Sequence, residues 1–193
     1  MKNKKTFFII ALVFVLLIGG ATVLYRQLGK NIAAEQLATQ STNQSDESAA
    51  GETEQKIKAP DFTVYDADGN EVHLADYIGK PIVLNFWASW CGPCQSEMPD
   101  FHEKYLELGD DVHFLMINMT DGARETVESA SAFIAKNGYA FPVFYDTKSD
   151  AASIYGAYYL PTTFFIDADG YAIAQATGAI DAETLQRGLD MIK

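Results

Sequence analysis

The hydrophobic and polar positions divide the chain into three stretches. The first contains an apolar run, residues 7–24 (FFIIALVFVLLIGGATVL), in which none of the 18 residues is charged. The second, residues 29–58, is polar and has no aromatic residue. The third alternates short apolar runs with polar turns, which is typical of a folded domain. We therefore predict an N-terminal segment of residues 1–28, a linker of residues 29–58 and a domain of residues 59–193.

Within the domain, the apolar pattern predicts strands that alternate with helices. The predicted strands cover residues 62–65, 71–74, 82–88, 112–119, 141–145, 162–167 and 171–177. The predicted helices cover residues 92–108, 124–137 and 149–155, and a last helix begins after Asp181 as its N-cap. Such alternation, with a hairpin at the start, predicts an α/β domain with a mixed central sheet and helices on both faces.

The apolar run of residues 7–24 predicts one transmembrane helix. At 1.5 Å per residue it extends about 27 Å, close to the thickness of a bilayer core. Lys2, Lys4 and Lys5 precede the run, so the N-terminus should lie in the cytoplasm and the domain outside. The alternative is a cleaved signal peptide with small residues at positions 19–21. We favour the retained anchor, because there is no A-x-A motif, and expect a single-pass protein of the cell membrane.

Composition limits the remaining possibilities. The 193 residues carry 14 Lys+Arg and 26 Asp+Glu, a formal net charge of -12, which argues against nucleic acid as a partner. Residues 29–58 have too little apolar surface to fold, so we predict a disordered tether. The two cysteines cannot form a disulfide framework or a four-cysteine zinc site. With only three histidines, we expect no metal and no bound cofactor.

The segment Trp90-Cys91-Gly92-Pro93-Cys94 carries the candidate chemistry. It follows a buried strand and begins a helix, so Cys91 should lie near the helix N-cap. Unpaired N–H groups and the helix dipole at that position lower the pKa of a thiol. Cys94 lies one turn further and should be the slower, resolving thiol, and Pro93 fits a helix start. The pattern predicts a redox-active disulfide rather than a buried apolar cysteine pair or half of a zinc site.

Four features of the chain resemble the thioredoxin superfamily and, more narrowly, the membrane-tethered, extracytoplasmic TlpA/ResA-like thiol-disulfide oxidoreductases. They are the lead-in APDFTVYDADGNEVHLADYIGKPIVLNFWASWCGPC, Pro99 five residues after Cys94, the segment YLPTTFFID, and the anchor with its tether. The resemblance covers about residues 59–193. It implies a thioredoxin fold with an insertion within residues 120–145.

The resemblance also assigns roles to the residues that would bind a client peptide. Pro161 stands at the start of a predicted strand, where either peptide isomer is possible, and the resemblance implies a cis bond. The backbone at Leu160 would then pair with an extended client peptide. Trp90 would shield the disulfide, and it completes the predicted client-binding set with Gly92 and Pro93.

One position departs from cytoplasmic thioredoxins, which have a buried Asp in the strand before the cysteines. This chain has Asn85 there, and an amide cannot accept a proton at working pH. Glu97, three residues after Cys94, lies on the same side of the helix. The resemblance implies that Glu97 is the general acid/base for Cys94, with its pKa raised by partial burial. The alternative is a solvated surface carboxylate.

These features predict a monomeric protein-disulfide reductase that acts on exported proteins. By resemblance, its clients are apocytochrome c or a methionine sulfoxide reductase, and a membrane thiol transporter of the CcdA/DsbD kind recharges it. Three alternatives stay open: a thiol-disulfide oxidase, a thiol peroxidase of the same fold and a non-enzymatic metallochaperone. The peroxidase is disfavoured because Ala88 stands where peroxidatic sites have Thr.

Overall fold

The computed structural model describes residues 37–39 and 56–193. The predicted anchor, residues 7–24, lies outside the described residues. Among the residues that are described, no helix has both the length and the apolar character needed to cross a membrane.

One mixed sheet organises the described residues. Its strands are β1 (Ala38–Thr39), β2 (Ile57–Lys58), β3 (Thr63–Tyr65), β4 (Glu71–His73), β5 (Ile82–Trp87), β6 (His113–Asn118), β7 (Val143–Tyr145), β8 (Thr162–Ile166) and β9 (Tyr171–Thr177). The strand order is β1-β9-β8-β5-β6-β7-β3-β4, and β2 also pairs with β9. Strand β5 lies in the centre, parallel to β6 and antiparallel to β8. Every residue of β5 is buried, as its nearly continuous apolar run, interrupted only by Asn85, predicts.

In the part of the chain that the structure describes, four α-helices and one 3-10 turn accompany the sheet. The helices are α1 (Gly92–Leu108), α2 (Val127–Asn137), α3 (Asp150–Tyr155) and α4 (Ala182–Ile192), and the 3-10 turn is Leu74–Tyr77. In β5, Val83 and Leu84 belong to two separate apolar cores, because successive strand residues point to opposite faces. Helices α1 and α4 cover the first core, and α3 covers the second. The structure confirms the predicted α/β thioredoxin-like fold with a mixed sheet and helices on both faces.

The helix ends follow local hydrogen bonding. Helix α1 has the predicted bounds, with Pro99 inside it. The prediction that α2 begins at Arg124 is wrong, because the Asp121 carboxylate accepts the backbone N–H groups of residues 123–125 in a turn. The helix starts only after Thr126, whose side chain accepts from the backbone N–H of Ser129. Helix α2 and strand β7 lie within the stretch predicted as an insertion, residues 120–145.

Two short strands fall inside the predicted linker. Strands β1 and β2 pair with β9 in antiparallel register. The expectation of a structureless tether therefore differs from the structure at these positions. Composition does not reveal this pairing, since without β1 and β2 the outer edge of β9 would offer its backbone N–H and C=O groups to any extended neighbour.

Gly188 allows α4 to pack closely on the sheet, and we expect Gly188→Ala to destabilise the protein. A Cβ there would overlap two ring carbons of Phe165, a fully buried residue. Overpacking of this kind costs about 1–3 kcal/mol, more than the helix propensity that Ala gains. Urea unfolding of the oxidised protein measures the change in the free energy of unfolding.

The matched control is Gly92→Ala in α1, because a Cβ there would have no neighbour within 4 Å. If Gly188→Ala were as stable as the wild type, the close packing of α4 on Phe165 would be wrong.

Candidate active site

Cys91 and Cys94 lie where the central strand β5 gives way to helix α1, and they form a disulfide with 5.2 Å between their Cα atoms. Cys91 is the N-cap of α1, and the backbone N–H of Cys94 donates to its Sγ at 3.2 Å. Cys91 is 5% exposed and Cys94 is fully buried. An incoming thiol can therefore reach the disulfide only at Cys91.

The helix N-terminus prepares Cys91 for exchange chemistry. Once the disulfide opens, the N–H of Cys94 and the positive end of the helix dipole can stabilise a thiolate on Cys91. Pro93 occupies the first turn, where a missing N–H removes no helical hydrogen bond. The roles of Cys91 as the attacking sulfur and Cys94 as the resolving sulfur stay a prediction.

Glu97 is buried one turn after Cys94, with only 2% of its surface exposed. Its Oε1 accepts a hydrogen bond from Nδ2 of Asn85 at 2.8 Å, and its Oε2 accepts one from the backbone N–H of Ile180 at 3.0 Å. Burial raises the pKa of Glu97 from 4.5 to about 7, although both hydrogen bonds act in the opposite direction. A solvated surface carboxylate, the alternative from sequence, does not describe this residue.

Asn85 holds the Glu97 carboxyl group from the central strand. Its Nδ2 donates both to Glu97 and to Oγ1 of Thr163 on β8, at 2.8 and 3.0 Å. Asn85 is itself fully buried. The amide therefore orients the carboxyl group without placing a second negative charge beside it.

A groove of about 610 Å³ opens beside Cys91. Four of the five residues predicted to bind a client contribute to its lining: Trp90, Gly92, Pro93 and Leu160. The fifth, Pro161, is buried and is not among the lining residues. The Leu160–Pro161 peptide bond is cis, which confirms that part of the prediction. Client binding by these residues stays a prediction.

Two tyrosines also belong to the groove lining. They are Tyr158 and Tyr159, which are 75% and 76% exposed. Tyr155 instead packs in the core, with its ring 4.9 Å from that of Phe164. The tyrosines before Pro161 therefore divide between the core and the groove.

Sequence reasoning missed a buried carboxylate near the site, Glu125. This residue is fully buried and accepts hydrogen bonds from the backbone N–H and Oγ of Ser89, at 2.8 and 2.7 Å. It also accepts from Nδ2 of Asn118, at the end of β6, at 2.7 Å. These bonds tie the loop after β6 to the residue that precedes Trp90. The sequence contains only a weak sign of this buried carboxylate, which is the polar residue Asn118 at the end of an apolar central strand.

Comparisons with known proteins agree with this geometry. The model of the AhpC/TSA family matches residues 56–174. The thiol-disulfide oxidoreductase ResA of Geobacillus thermodenitrificans is 37% identical over 136 residues, which cover 70% of this chain and 76% of ResA.

Two solved structures share the fold. A putative thiol:disulfide interchange protein DsbE from Chlorobium tepidum has a TM-score of 0.63 and 30% identity, covering 72% of this chain and 97% of that one. The exposed lipoprotein thioredoxin of Streptococcus pneumoniae has a TM-score of 0.58 and 32% identity, with coverage of 68% and 98%. With its disulfide at a helix N-terminus, the chain belongs to the AhpC/TSA family of the thioredoxin superfamily and is a thiol-disulfide oxidoreductase of the ResA type.

Proposed function

We propose that this oxidoreductase works outside the cytoplasm, anchored by residues 7–24, and reduces disulfides in exported proteins. The observation that carries the proposal is the half-hidden disulfide: Cys91 borders an open groove while Cys94 is fully buried. A client can form a mixed disulfide only with Cys91, and Cys94 is positioned to resolve it. Apocytochrome c and a methionine sulfoxide reductase are the clients proposed by resemblance.

The first step joins the client to the enzyme. In the reduced protein, the Cys91 thiolate attacks one sulfur of the client disulfide. A Cys91–client bond forms, the client S–S bond breaks, and the second client sulfur leaves as a thiolate that takes a proton from water. Trp90 and Leu160, which border Cys91 in the groove, would hold the client segment in place.

The second step releases the client. The Cys94 thiol gives its proton to the Glu97 carboxylate, and the resulting thiolate attacks the Cys91 sulfur. The Cys91–Cys94 bond forms, the Cys91–client bond breaks, and the client sulfur leaves as a thiolate that takes a proton from water. Two electrons pass from the enzyme dithiol to the client. A pKa near 7 suits Glu97 to this exchange, because it can hold or release a proton close to neutral pH.

A net reductase needs a source of electrons outside the cytoplasm. A membrane thiol transporter of the CcdA/DsbD kind would supply them by reducing the Cys91–Cys94 disulfide. In that direction, protonated Glu97 would return its proton to the Cys94 thiolate as it leaves. The Gly-Pro pair between the cysteines resembles that of the reducing thioredoxins and favours this direction.

Cys94→Ser should trap natural clients as mixed disulfides with Cys91. The variant can complete the first step, but it has no thiol for the second. In intact cells expressing the full chain, non-reducing electrophoresis should show adducts that are cleaved when a reductant is added. Mass spectrometry then identifies the partners. The control is Cys91→Ser, which should form few adducts because Cys94 is buried. Equal adduct yields from the two variants would refute the assignment of Cys91 as the attacking sulfur.

Glu97→Gln should remove a pH dependence centred near pH 7 from client reduction. In the wild type, the Glu97 carboxylate becomes available as a base as the pH rises through its pKa of about 7, so the rate should rise there. The glutamine side chain cannot accept the proton, and above pH 7 the rate should fall by roughly 10²-fold. Single-turnover reduction of insulin by the pre-reduced protein measures the profile.

Glu103→Gln is the matched control for this measurement, since Glu103 lies on the same helix and is exposed. It should keep the wild-type profile. An inflection near pH 7 that survives in Glu97→Gln would rule out Glu97 as the base.

A further inference from the structure

The groove beside Cys91 contains a cation that the mechanism above does not use. Among the described residues that line the groove, only Asp121 and Arg124 are charged. The guanidinium carbon of Arg124 lies 3.5 Å from the centre of the Trp90 ring. Trp90 directly precedes the attacking sulfur, so the Arg124 charge stands next to the reaction site.

The loop that carries Arg124 is fixed on both sides of it. On one side, Oδ1 of Asp121 accepts three backbone N–H groups, including that of Arg124 itself, at 2.8–2.9 Å. On the other side, buried Glu125 is bonded to Ser89 and Asn118. A guanidinium that is already positioned loses less entropy when it binds a ligand.

We propose that Arg124 is a specificity-determining residue, which favours client disulfides flanked by an acidic residue. This inference rests on the proposed function, because it concerns which disulfide segments Cys91 attacks. A guanidinium presents its N–H donors as a fork that matches a carboxylate. The aromatic wall formed by Tyr158 and Tyr159 would hold the rest of the segment, and Arg124 would bind its acidic side chain.

The two charged residues that line the groove, Asp121 and Arg124, balance each other, whereas the domain around them is strongly negative. Residues 56–193 contain 9 basic and 21 acidic residues, a net charge of -12. At long range this charge disfavours acidic partners, but salt screens it over about 8–10 Å. Arg124 acts at contact distance, so the preference should depend on the residue beside the attacked cysteine rather than on the overall charge of the client.

Three synthetic peptides test the proposal. They share one intramolecular disulfide and differ only in the residue beside the attacked cysteine, which is Glu, Gln or Lys. The pre-reduced full-length chain reacts with each peptide in a single turnover. Each rate constant is divided by that for dithiothreitol, which corrects for intrinsic disulfide reactivity. We expect the order Glu, Gln, Lys from fast to slow, with about fivefold between Glu and Gln at low salt and less at high salt.

Two variants assign the preference to Arg124. Arg124→Met keeps an apolar side chain over Trp90 without the charge, and we expect it to reduce the Glu and Gln peptides at equal corrected rates. Lys148→Met is the matched control, because Lys148 is also a cation over an aromatic ring, Tyr65 at 4.9 Å, but does not line the groove. It removes the same charge from the protein and should leave the preference intact.

The outcomes separate this proposal from the proposed function. Equal corrected rates for the three peptides with the wild type, or a preference that survives in Arg124→Met, would overturn the role of Arg124 while leaving disulfide reduction in place. A wild type that reduces none of the peptides would overturn the reductase function and this proposal together.

Discussion

The burial of one carboxyl group, that of Glu97, is the constraint on which the active site depends. Its two oxygens are held by Asn85 from the central strand and by the backbone N–H of Ile180 from the loop before α4. Glu97 thereby joins elements that are distant in the chain. Burial also moves the pKa of Glu97 to about 7, because the charged form loses its hydration. The burial of Glu97 therefore accounts both for these hydrogen bonds and for the raised pKa.

The active site has a buried part and a part that is open to solvent. Cys94, Glu97 and Asn85 lie in the interior, where bulk water does not reach them. Cys91 and Trp90 border the open groove, where a large client can approach. The N-terminus of α1 is the boundary between the two, and it places the sulfurs on opposite sides of that boundary. A single helix start therefore gives one accessible sulfur and one protected sulfur.

Much of the fold and of the active site could be predicted from the sequence. The nearly continuous apolar run predicts the central strand, and helical spacing predicts α1 with its observed bounds. Both signals come from neighbouring residues. The cis bond before Pro161 required the resemblance, because a proline at the start of a strand is compatible with either isomer. The burial of Glu97 also followed from the resemblance, since most helical glutamates are exposed.

What the sequence could not provide depends on contacts between distant residues. Glu125 reaches Ser89 across 36 positions, and no local pattern marks it as buried. The approach of Arg124 to Trp90 follows from that same loop anchor. The split between Tyr155 in the core and Tyr158 in the groove was hidden, because a short aromatic segment has no decisive periodicity.

The central claim is that Glu97 exchanges its proton near neutral pH within the folded, oxidised protein. Carbon-13 NMR of the glutamate side-chain carboxyl carbons, with Glu97→Gln to assign the signal, measures this directly. The account predicts that the Glu97 resonance titrates with an apparent pKa of about 7, well above the ordinary value of 4.5. A resonance that titrates at the ordinary value would show a hydrated carboxylate and contradict the account.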